Sequence, residues 1–368
     1  MAAPTKVGGA KVELGIIEGY YGKPWSWQAR RDQVSGLAPH GYGFYIYAPK
    51  ADPYLRKRWQ EPHPAEYTTA LKDLAAHCAA HAVRFGVGLS PFEIYRDFGD
   101  EAKAALGRKL DELDALGVQD LGILFDDMRG DLPGVAKTQV EILHWIAGRT
   151  KASRIIACPT YYNDDVGLDI AFGRRPEGYL EEFGAALDPS IEVFWTGEET
   201  CSKEFSPGHL RRVAGQLRRK PFLWDNYPVN DGPRMSPYLY IRPFTGRPAS
   251  IAPHIAAHAV NPALQPALTR IPAISLAESY RLGEDYQYLA AFQKAAAEVM
   301  GPELGAMLQR HIGVMNDTGL DALADDVKAR LRDRYAPHAD VPAAQEILDW
   351  LDGAWRITRE MMEAEMYG

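Results

Sequence analysis

The sequence contains few cysteines, and their arrangement excludes two common kinds of site. Only Cys78, Cys158 and Cys201 occur among 368 residues, and no two of them form a CxxC pair. Small secreted domains use dense, even sets of disulfides, and structural zinc sites use closely spaced cysteine pairs. The three cysteines are therefore predicted to be free thiols in a reducing compartment, with neither a disulfide framework nor a zinc site.

Long apolar segments are also missing. No window approaches the roughly 18 consecutive apolar residues that a membrane-spanning helix requires. The first residues, MAAPTKVGGAKVELG, lack the apolar stretch of a signal peptide. We therefore expect no membrane partner and a cytoplasmic location.

An excess of positive charge is absent as well. The chain has 41 basic and 49 acidic residues, a net charge of −8. The nearest approach to a basic stripe is LRRVAGQLRRK at residues 210–220, where the spacing places the arginines on one side of an amphipathic helix. That pattern is typical of a solvated helix face, so no nucleic-acid partner is expected.

The sequence does contain eight short apolar runs rich in β-branched and aromatic residues. They begin at Val12, Gly43, Arg84, Asp120, Arg154, Glu192, Lys220 and His254. Helical periodicity lies between most of them, at residues 65–82, 100–116, 137–149 and 203–217. Eight near-continuous apolar strands alternating with helices predict an α/β fold, a (β/α)8 TIM barrel.

An open doubly wound sheet is the competing fold. It loses support because no GxGxxG follows the first strand and no GxxxxGK[ST] occurs. From about Ser279 the sequence is helical throughout, which predicts a barrel at residues 1–278 followed by an α-helical region at 279–368. The Leu, Trp and Met positions of that region are predicted to form a bundle core, and a homodimer contact is the alternative.

Polar residues follow nearly every predicted strand, and in a barrel these strand ends share one face. The ring holds carboxylates, amides, one ammonium, a phenol and two indoles: Asp126, Asp127, Asp231, Asn226, Asn261, Lys50, Tyr162, Trp195 and Trp224. Planar polar groups beside aromatic faces favour a sugar, whereas phosphate or metal would need arginines or His and Cys clusters. His254 and His258 are predicted to have core or surface roles, and Lys50 a site role rather than a surface one. Trp195 fits the core as well as the pocket.

Asp126 and Asp127 directly follow the apolar run at residues 121–125. A helix cap would explain one aspartate but not both. Ordinary glycosidases place two acids on opposite sides of the scissile bond, about 5 Å or more apart, which suits sequence neighbours poorly. A 2-acetamido sugar can instead attack its own anomeric carbon through an oxazoline. One acid then orients the acetamido N–H, while its charge raises the pKa of a neighbouring general acid.

Seven segments carry a resemblance to a known family. They are GIIEGYYGKPW, YIYAPKADPYLRKRW, LFDDM, CPTYY, IEVFWTG, FLWDNYPVND and AVNP. In this order, between Val12 and Pro262, they resemble bacterial-type members of glycoside hydrolase family 84, the O-GlcNAcases and related β-N-acetylglucosaminidases. The resemblance implies a retaining exo-β-N-acetylglucosaminidase that acts on GlcNAc-containing glycosides or O-GlcNAc glycoproteins without metal or cofactor. Beyond Ser279 the chain resembles the family only in having a helical region after the barrel.

The resemblance also implies residue roles. Asp126 would orient the acetamido group, Asp127 would be the general acid/base, and Tyr162 would bond the acetamido carbonyl. The pocket for that group would be lined by Cys158, Thr196 and Trp224. The sugar hydroxyls and the amide would be held by Gly19, Lys50, Asn226, Asp231 and Asn261.

Two other functions stay open at this point. One is a catalytically silent GlcNAc-binding barrel, against which the intact acid pair counts. The other is a metal-dependent hydrolase that uses Asp126, Asp127 and Asp131. The sequence also leaves the natural aglycone open among glycosylated protein and fragments of chitin, peptidoglycan or hyaluronan.

Overall fold

The computed structural model describes residues 11–367, and the side chains of residues 11–364. Eight parallel strands close into a barrel in the order β1 to β8. They are β1 Leu14–Glu18, β2 Tyr42–Tyr47, β3 Arg84–Leu89, β4 Asp120–Leu124, β5 Arg154–Cys158, β6 Glu192–Trp195, β7 Phe222–Asp225 and β8 His258–Val260. The predicted (β/α)8 barrel is confirmed.

Among the described residues no strand follows β8, and helices surround the barrel. They are α1 Trp27–Leu37, α2 Ala65–Ala80, α3 Asp100–Ala115, α4 Val135–Ala147, α5 Val166–Phe172, α6 Tyr179–Ala186, α7 Pro207–Leu217, α8 Pro266–Leu282, α9 Tyr288–Met300, α10 Pro302–Gly313, α11 Asp325–Tyr335, α12 Pro342–Leu351 and α13 Arg359–Tyr367. Helix α8 packs on α1, α9 and α12, so it joins the barrel to the C-terminal helices. Among the described residues, no helix combines the length and apolar character needed to cross a bilayer.

Aromatic side chains fill the barrel interior. The rings of Phe44 and Phe222 lie 5.4 Å apart across the barrel, and Phe194 packs on Phe222 at 4.9 Å. Trp224 lies 5.2 Å from Phe194. At the other end, the guanidinium of Arg154 covers Phe44 and Phe222 at 5.0 and 5.1 Å. The interior is therefore a packed core, which leaves space only near Trp224, at the carboxyl ends of the strands.

Ion pairs close the opposite end of the barrel, where the strands begin. The buried carboxylate of Asp120 accepts hydrogen bonds from Arg84 Nε at 3.0 Å and Arg154 Nη2 at 2.6 Å. Both arginines also pair with Glu13. Each buried charge at this end has an opposite charge in contact, which gives the network a structural role.

The last predicted strand was placed too early. Residues Ala249–His254 form a 3-10 helix, and β8 spans only His258–Val260. His254 is the last residue of this 3-10 helix, so the strand begins four residues later than the apolar pattern indicates. His254 is half-buried, while His258 is buried and contacts Asp225 Oδ2 at 3.0 Å and the Tyr280 hydroxyl at 2.9 Å.

The arginine-rich stretch at 210–220 divides into two environments. Arg211 and Arg212 are exposed on α7, as the pattern predicts. Arg219 lies beyond the helix and is half-buried, and its guanidinium donates to carbonyls in the last turn of α6 and between α6 and β6. The expectation of one solvated arginine face is wrong for Arg219, because the chain leaves the helix at the left-handed residue Arg218.

The C-terminal helices are held to the barrel by polar as well as apolar contacts. Trp350 is buried, and its Nε1 donates to the Pro237 carbonyl at 2.9 Å. Glu346 accepts from the backbone N–H groups of Ala267 and Leu268, at 2.8 and 2.9 Å, in the first turn of α8. The boundary at residues 278/279, which falls within α8, and the homodimer contact both stay predictions.

Candidate active site

A cavity of about 240 Å³ opens at the carboxyl ends of the strands. All eleven residues that the sequence assigned to a site line it: Gly19, Lys50, Asp126, Asp127, Cys158, Tyr162, Thr196, Trp224, Asn226, Asp231 and Asn261. They come from every strand except β3, whose following residue Ser90 instead donates its backbone N–H to Leu55. The structure brings these residues together, whereas their individual roles stay predictions.

Asp126 and Asp127 lie where β4 ends, and neither caps a helix. Helix α4 begins at Val135, and Gly134 occupies its N-cap position, so the helix-cap explanation of the pair is wrong. Asp127 has a φ of +57°, in the left-handed region. Lys50 Nζ donates to Asp126 Oδ2 and lies 3.3 Å from Asp127 Oδ2, so one buried ammonium serves both carboxylates.

Asp127 is surrounded by groups that stabilise its anion. The Tyr21 hydroxyl donates to Asp127 Oδ2 at 2.5 Å, and the buried Arg56 guanidinium lies close to the Tyr21 ring. Burial alone would raise the pKa of Asp127, but the charges of Lys50 and Arg56 and the Tyr21 hydrogen bond outweigh it. The pKa of Asp127 is therefore lowered in the unliganded chain.

Asp126 has fewer stabilising contacts. Burial raises its pKa, the charge of Asp127 raises it further, and Lys50 offsets only part of this. Asp126 Oδ1 is buried and has no hydrogen-bond partner among the residues that the structure describes. The repulsion thus separates the two pKa values as expected, but in the opposite order from the sequence argument, which raised the pKa of Asp127. The reason is that Tyr21 and Arg56 approach Asp127.

One side of the cavity carries neutral groups of limited size. Burial raises the pKa of the Tyr162 phenol and of the Cys158 thiol well above their ordinary values, so both are protonated at neutral pH. The Thr196 hydroxyl donates to the Glu199 carbonyl at 3.0 Å. The hydroxyl is therefore already engaged, and the remaining part of this side chain is an apolar methyl group. A phenol donor beside a thiol and a methyl suits a small amide with an apolar end.

A chain of hydrogen bonds fixes the amides. Asn226 Oδ1 accepts from Trp224 Nε1 at 3.0 Å and from Asn261 Nδ2 at 2.8 Å. Asn261 Oδ1 in turn accepts from the Gly19 N–H at 3.1 Å. A Cβ at Gly19 would lie 2.2 Å from the Trp224 ring, so glycine is needed for this close approach. The indole and both amides are thereby preorganised without a ligand.

Asp231 lies at the far side of Tyr21 from the acid pair. Its Oδ2 accepts from the Tyr21 backbone N–H at 2.8 Å, while the hydroxyl of the same tyrosine reaches Asp127. Burial raises the pKa of Asp231 to about 6. At neutral pH this carboxylate is ionised and can accept from ligand hydroxyls.

A family model described as beta-N-acetylglucosaminidase matches residues 14–312, most of the chain. The chain belongs to the beta-N-acetylglucosaminidase family. The relationship to the O-GlcNAcases of glycoside hydrolase family 84, expected from the seven segments, is thereby confirmed, and the family is one of glycoside hydrolases.

Two curated relatives are the Protein O-GlcNAcases of Rattus norvegicus and Mus musculus, and each is 29% identical to this chain over the aligned residues. The rat alignment spans 271 residues, 71% of this chain and 29% of the rat protein. The mouse alignment spans 265 residues, 69% of this chain and 28% of the mouse protein. The chain therefore spans less than a third of the length of these relatives.

Two solved structures share the fold. A mutant of the Thermobaculum terrenum O-GlcNAc hydrolase aligns with a TM-score of 0.74 at 27% identity, over 96% of this chain and 76% of that one. The protein CpGH84B aligns with a TM-score of 0.73 at 24% identity, over 97% of this chain and 66% of that one, which shows the fold alone.

Trp195, for which core and pocket were both open, and Asp131, which only the metal-dependent alternative placed in a site, lie outside the cavity. Trp195 is fully buried, its Nε1 contacts His209 Nε2 at 3.0 Å, and it packs between β6 and α7 instead of lining the cavity. Asp131 lies outside the cavity and pairs with Arg129 at 2.5 Å. Within the described part of the chain, no three His, Cys, Asp or Glu side chains are grouped as a metal site requires.

Sequence reasoning missed several residues at the cavity or the acid pair, among them Tyr21, Arg56 and Met362. Tyr21 and Arg56 lie inside the segments that resemble the family. Each has a neighbour of similar type, Tyr20 and Lys57, and no sequence pattern distinguishes the one from the other. Met362 belongs to α13 and lines the cavity from the other end of the chain. The expectation that the C-terminal methionines form a bundle core is wrong for Met362, because residues 355–364 fold back onto the barrel.

Proposed function

We propose that this chain is a retaining exo-β-N-acetylglucosaminidase that removes terminal β-linked GlcNAc by substrate-assisted catalysis through an oxazoline. The observation that carries the proposal is the pair of adjacent carboxylates at one edge of the cavity, of which Asp126 has a buried oxygen with no hydrogen-bond partner among the described residues. A buried acceptor of this kind needs a donor. The N–H of a 2-acetamido group would supply it.

In the first step, the acetamido carbonyl oxygen attacks the anomeric carbon as the glycosidic C–O bond breaks. Asp127 gives its proton to the leaving oxygen. Asp126 accepts the acetamido N–H and stabilises the positive charge that develops on the oxazolinium ring. Tyr162 donates to the acetamido oxygen and fixes its direction of attack.

In the second step, water attacks the anomeric carbon from the side that the aglycone has left. Asp127 takes a proton from this water, and the bond from the anomeric carbon to the oxazoline oxygen breaks. The acetamide is restored and Asp127 is protonated again. Two inversions at one carbon give net retention of the β configuration.

For Asp127 to act as the acid, its pKa must rise above that of Asp126, which is the reverse of the order described above. The substrate provides two reasons for reversal. Its N–H stabilises the Asp126 anion through Oδ1, which lowers the pKa of Asp126. The sugar displaces water beside Asp127, and the ionised Asp126 then raises the pKa of Asp127. In the bound state Asp126 is then ionised and Asp127 protonated.

We propose O-GlcNAc-modified protein in the cytoplasm as the substrate. Support comes from the rat and mouse relatives, which are named Protein O-GlcNAcase, and from the solved structure named O-GlcNAc hydrolase. The other substrates, fragments of chitin, peptidoglycan or hyaluronan, are separated from this one by rates on defined glycosides.

The test compares an aryl β-N-acetylglucosaminide with the matching aryl β-glucoside, which has a 2-hydroxyl and no internal nucleophile. We expect turnover of the first alone, with the β-anomer as the first product seen by NMR and tight inhibition by a thiazoline mimic of the oxazoline. Comparable rates on both sugars would contradict the assisted mechanism. A faster rate on O-GlcNAc peptide than on chitin oligomers supports the protein substrate, and the reverse opposes it.

A further inference from the structure

The segment of residues 355–364 returns from the helical region to the mouth of the barrel. The Ile357 backbone N–H donates to Ser236 Oγ at 3.1 Å, and the Ile357 side chain packs in a buried cluster with Tyr20 and Trp25. Lys23 Nζ lies 5.3 Å from the centre of the Trp355 ring. These contacts hold the start of α13 against the loops that follow β1 and β7.

The docked helix places a methionine in the cavity. Met362 lines it together with Met235, which belongs to the same loop as Asp231 and Gly232. Both methionines are half-buried, whereas Asp126 and Cys158 are buried at the strand ends. The polar floor of the cavity therefore comes from the barrel, and part of its rim consists of two thioethers.

Met362 packs on the buried cluster that includes Val229, a residue of the loop that carries Asp231 and Met235. This loop lies across Tyr21 from the acid pair. Tyr21 spans the distance, because its backbone N–H contacts Asp231 while its hydroxyl contacts Asp127. The proposed mechanism places the leaving oxygen at Asp127. Groups beside Asp231, Met235 and Met362 are therefore at the non-reducing end of the bound sugar.

A thioether is only a weak acceptor and donates no hydrogen bond, so it cannot replace the water lost by a second sugar's hydroxyls. The cavity volume of about 240 Å³ also lies below the ~300–1,000 Å³ usual for larger ligands. We propose that α13 is a wall of the substrate site and that Met362, with Met235, limits the ligand to a single terminal sugar. This inference rests on the proposed function.

The test uses 4-nitrophenyl β-N-acetylglucosaminide and its β-1,4-extended disaccharide, with chromatographic detection of intact disaccharide released in one step. We expect the wild-type chain to release almost none. Met362→Ala should raise the ratio of intact-disaccharide release to monosaccharide release by about 10-fold or more, the range typical of removing a few methylenes from a pocket wall. The Met235→Ala/Met362→Ala double variant should raise it further.

Met361→Ala is the matched control, since Met361 is the neighbouring residue of α13 and is 43% exposed. Its ratio should equal that of the wild type, and Met362→Leu, which keeps the volume, should preserve the restriction. An unchanged ratio in Met362→Ala and the double variant, both folded by circular dichroism, would overturn the inference. A wild-type chain inactive on the monosaccharide glycoside would instead contradict the proposed function.

Discussion

Strand β4 carries buried carboxylates at both ends, and the two ends differ in how these are satisfied. At its start, Asp120 is enclosed by Arg84 and Arg154, which share Glu13 as a further partner. At its end, Asp126 and Asp127 share one ammonium, and Asp126 keeps an oxygen without a partner in the described structure. At the start of the strand both oxygens of Asp120 are thus saturated by hydrogen bonds, whereas at its end Asp126 is unsaturated among the described residues.

The difference separates stability from function. A saturated buried network loses stability when one member is removed, because the others are left without their opposite charge. An unsaturated group gains its missing partner only when a ligand arrives, so its contribution appears in binding or catalysis. The comparison predicts that substitutions at the two ends of β4 affect different measurements.

The largest effect is expected for Asp127→Asn. The variant cannot protonate the leaving oxygen, so hydrolysis of a poor leaving group should fall by about 10²–10⁴-fold. An activated aryl glycoside, which needs little protonation, should lose far less. Steady-state kinetics over a series of leaving groups measures this, and equal losses across the series would remove Asp127 from the acid role.

Asp126→Asn should follow, with a loss of about 10²–10³-fold in kcat. The loss should persist with excellent leaving groups, because the charge that stabilises the oxazolinium is absent in both steps. Affinity for a GlcNAc ligand that does not mimic the oxazoline should be largely preserved, since Lys50, Asn226, Asp231 and Asn261 remain. Calorimetry together with kinetics tests this, and substantial activity on aryl glycosides would disprove it.

Asp120→Asn should lower the free energy of unfolding by about 2–3 kcal/mol, since charged hydrogen bonds from two arginines are weakened. The kcat of the folded protein should stay near that of the wild type. Urea unfolding of this variant beside Asp126→Asn sharpens the comparison, because the second should lose less stability. A large fall in kcat for Asp120→Asn would erase the distinction between the two ends.

The last prediction concerns Glu346, and its effect is on the pH dependence of stability. Burial raises the pKa of Glu346 to about 7 although two backbone N–H groups of α8, and Arg270, favour its anion, while Asp349 disfavours it. The folded state therefore binds the proton more tightly than the unfolded state, and stability falls as pH rises from about 4.5 to 7, by up to ~3 kcal/mol.

Glu346→Gln should remove this component of the pH dependence. The variant keeps one acceptor oxygen but cannot ionise, so its free energy of unfolding should vary less between pH 5 and 7.5 than that of the wild type. Thermal or urea unfolding over this range provides the measurement. Identical pH profiles for both proteins would show that Glu346 ionises as it would in water.

The sequence predicted the barrel because each strand carries its own apolar run, and strand ends in a parallel barrel must share a face. The strand ends named eight of the eleven predicted residues that line the cavity, and the resemblance to the family added Gly19, Cys158 and Thr196. The sequence placed Trp195 in the ring because an indole near a strand end can point to either side. Only the packing against His209 decides this.

Other features depend on contacts that no spacing encodes. Met362 reaches a cavity whose Asp231 lies far away in the chain, through docking of residues 355–364. The pKa order of the acid pair depends on Tyr21 and Arg56, which approach from the loops after β1 and β2. Such effects arise from tertiary packing, so a sequence that reveals the pair does not reveal its electrostatics.

The left-handed backbone of Asp127 restricts what can replace it. Most residues with a Cβ lose about 1–2 kcal/mol in this conformation, whereas asparagine and aspartate tolerate it and glycine adopts it freely. Alanine at this position would mix a chemical loss with a conformational one, and asparagine would isolate the chemistry. The same conformation restricts which substitutions evolution can accept at this position. A homologue that has lost catalysis could carry Asn or Gly here and still fold. Either residue at this position would then indicate a barrel that binds the sugar but does not cleave it.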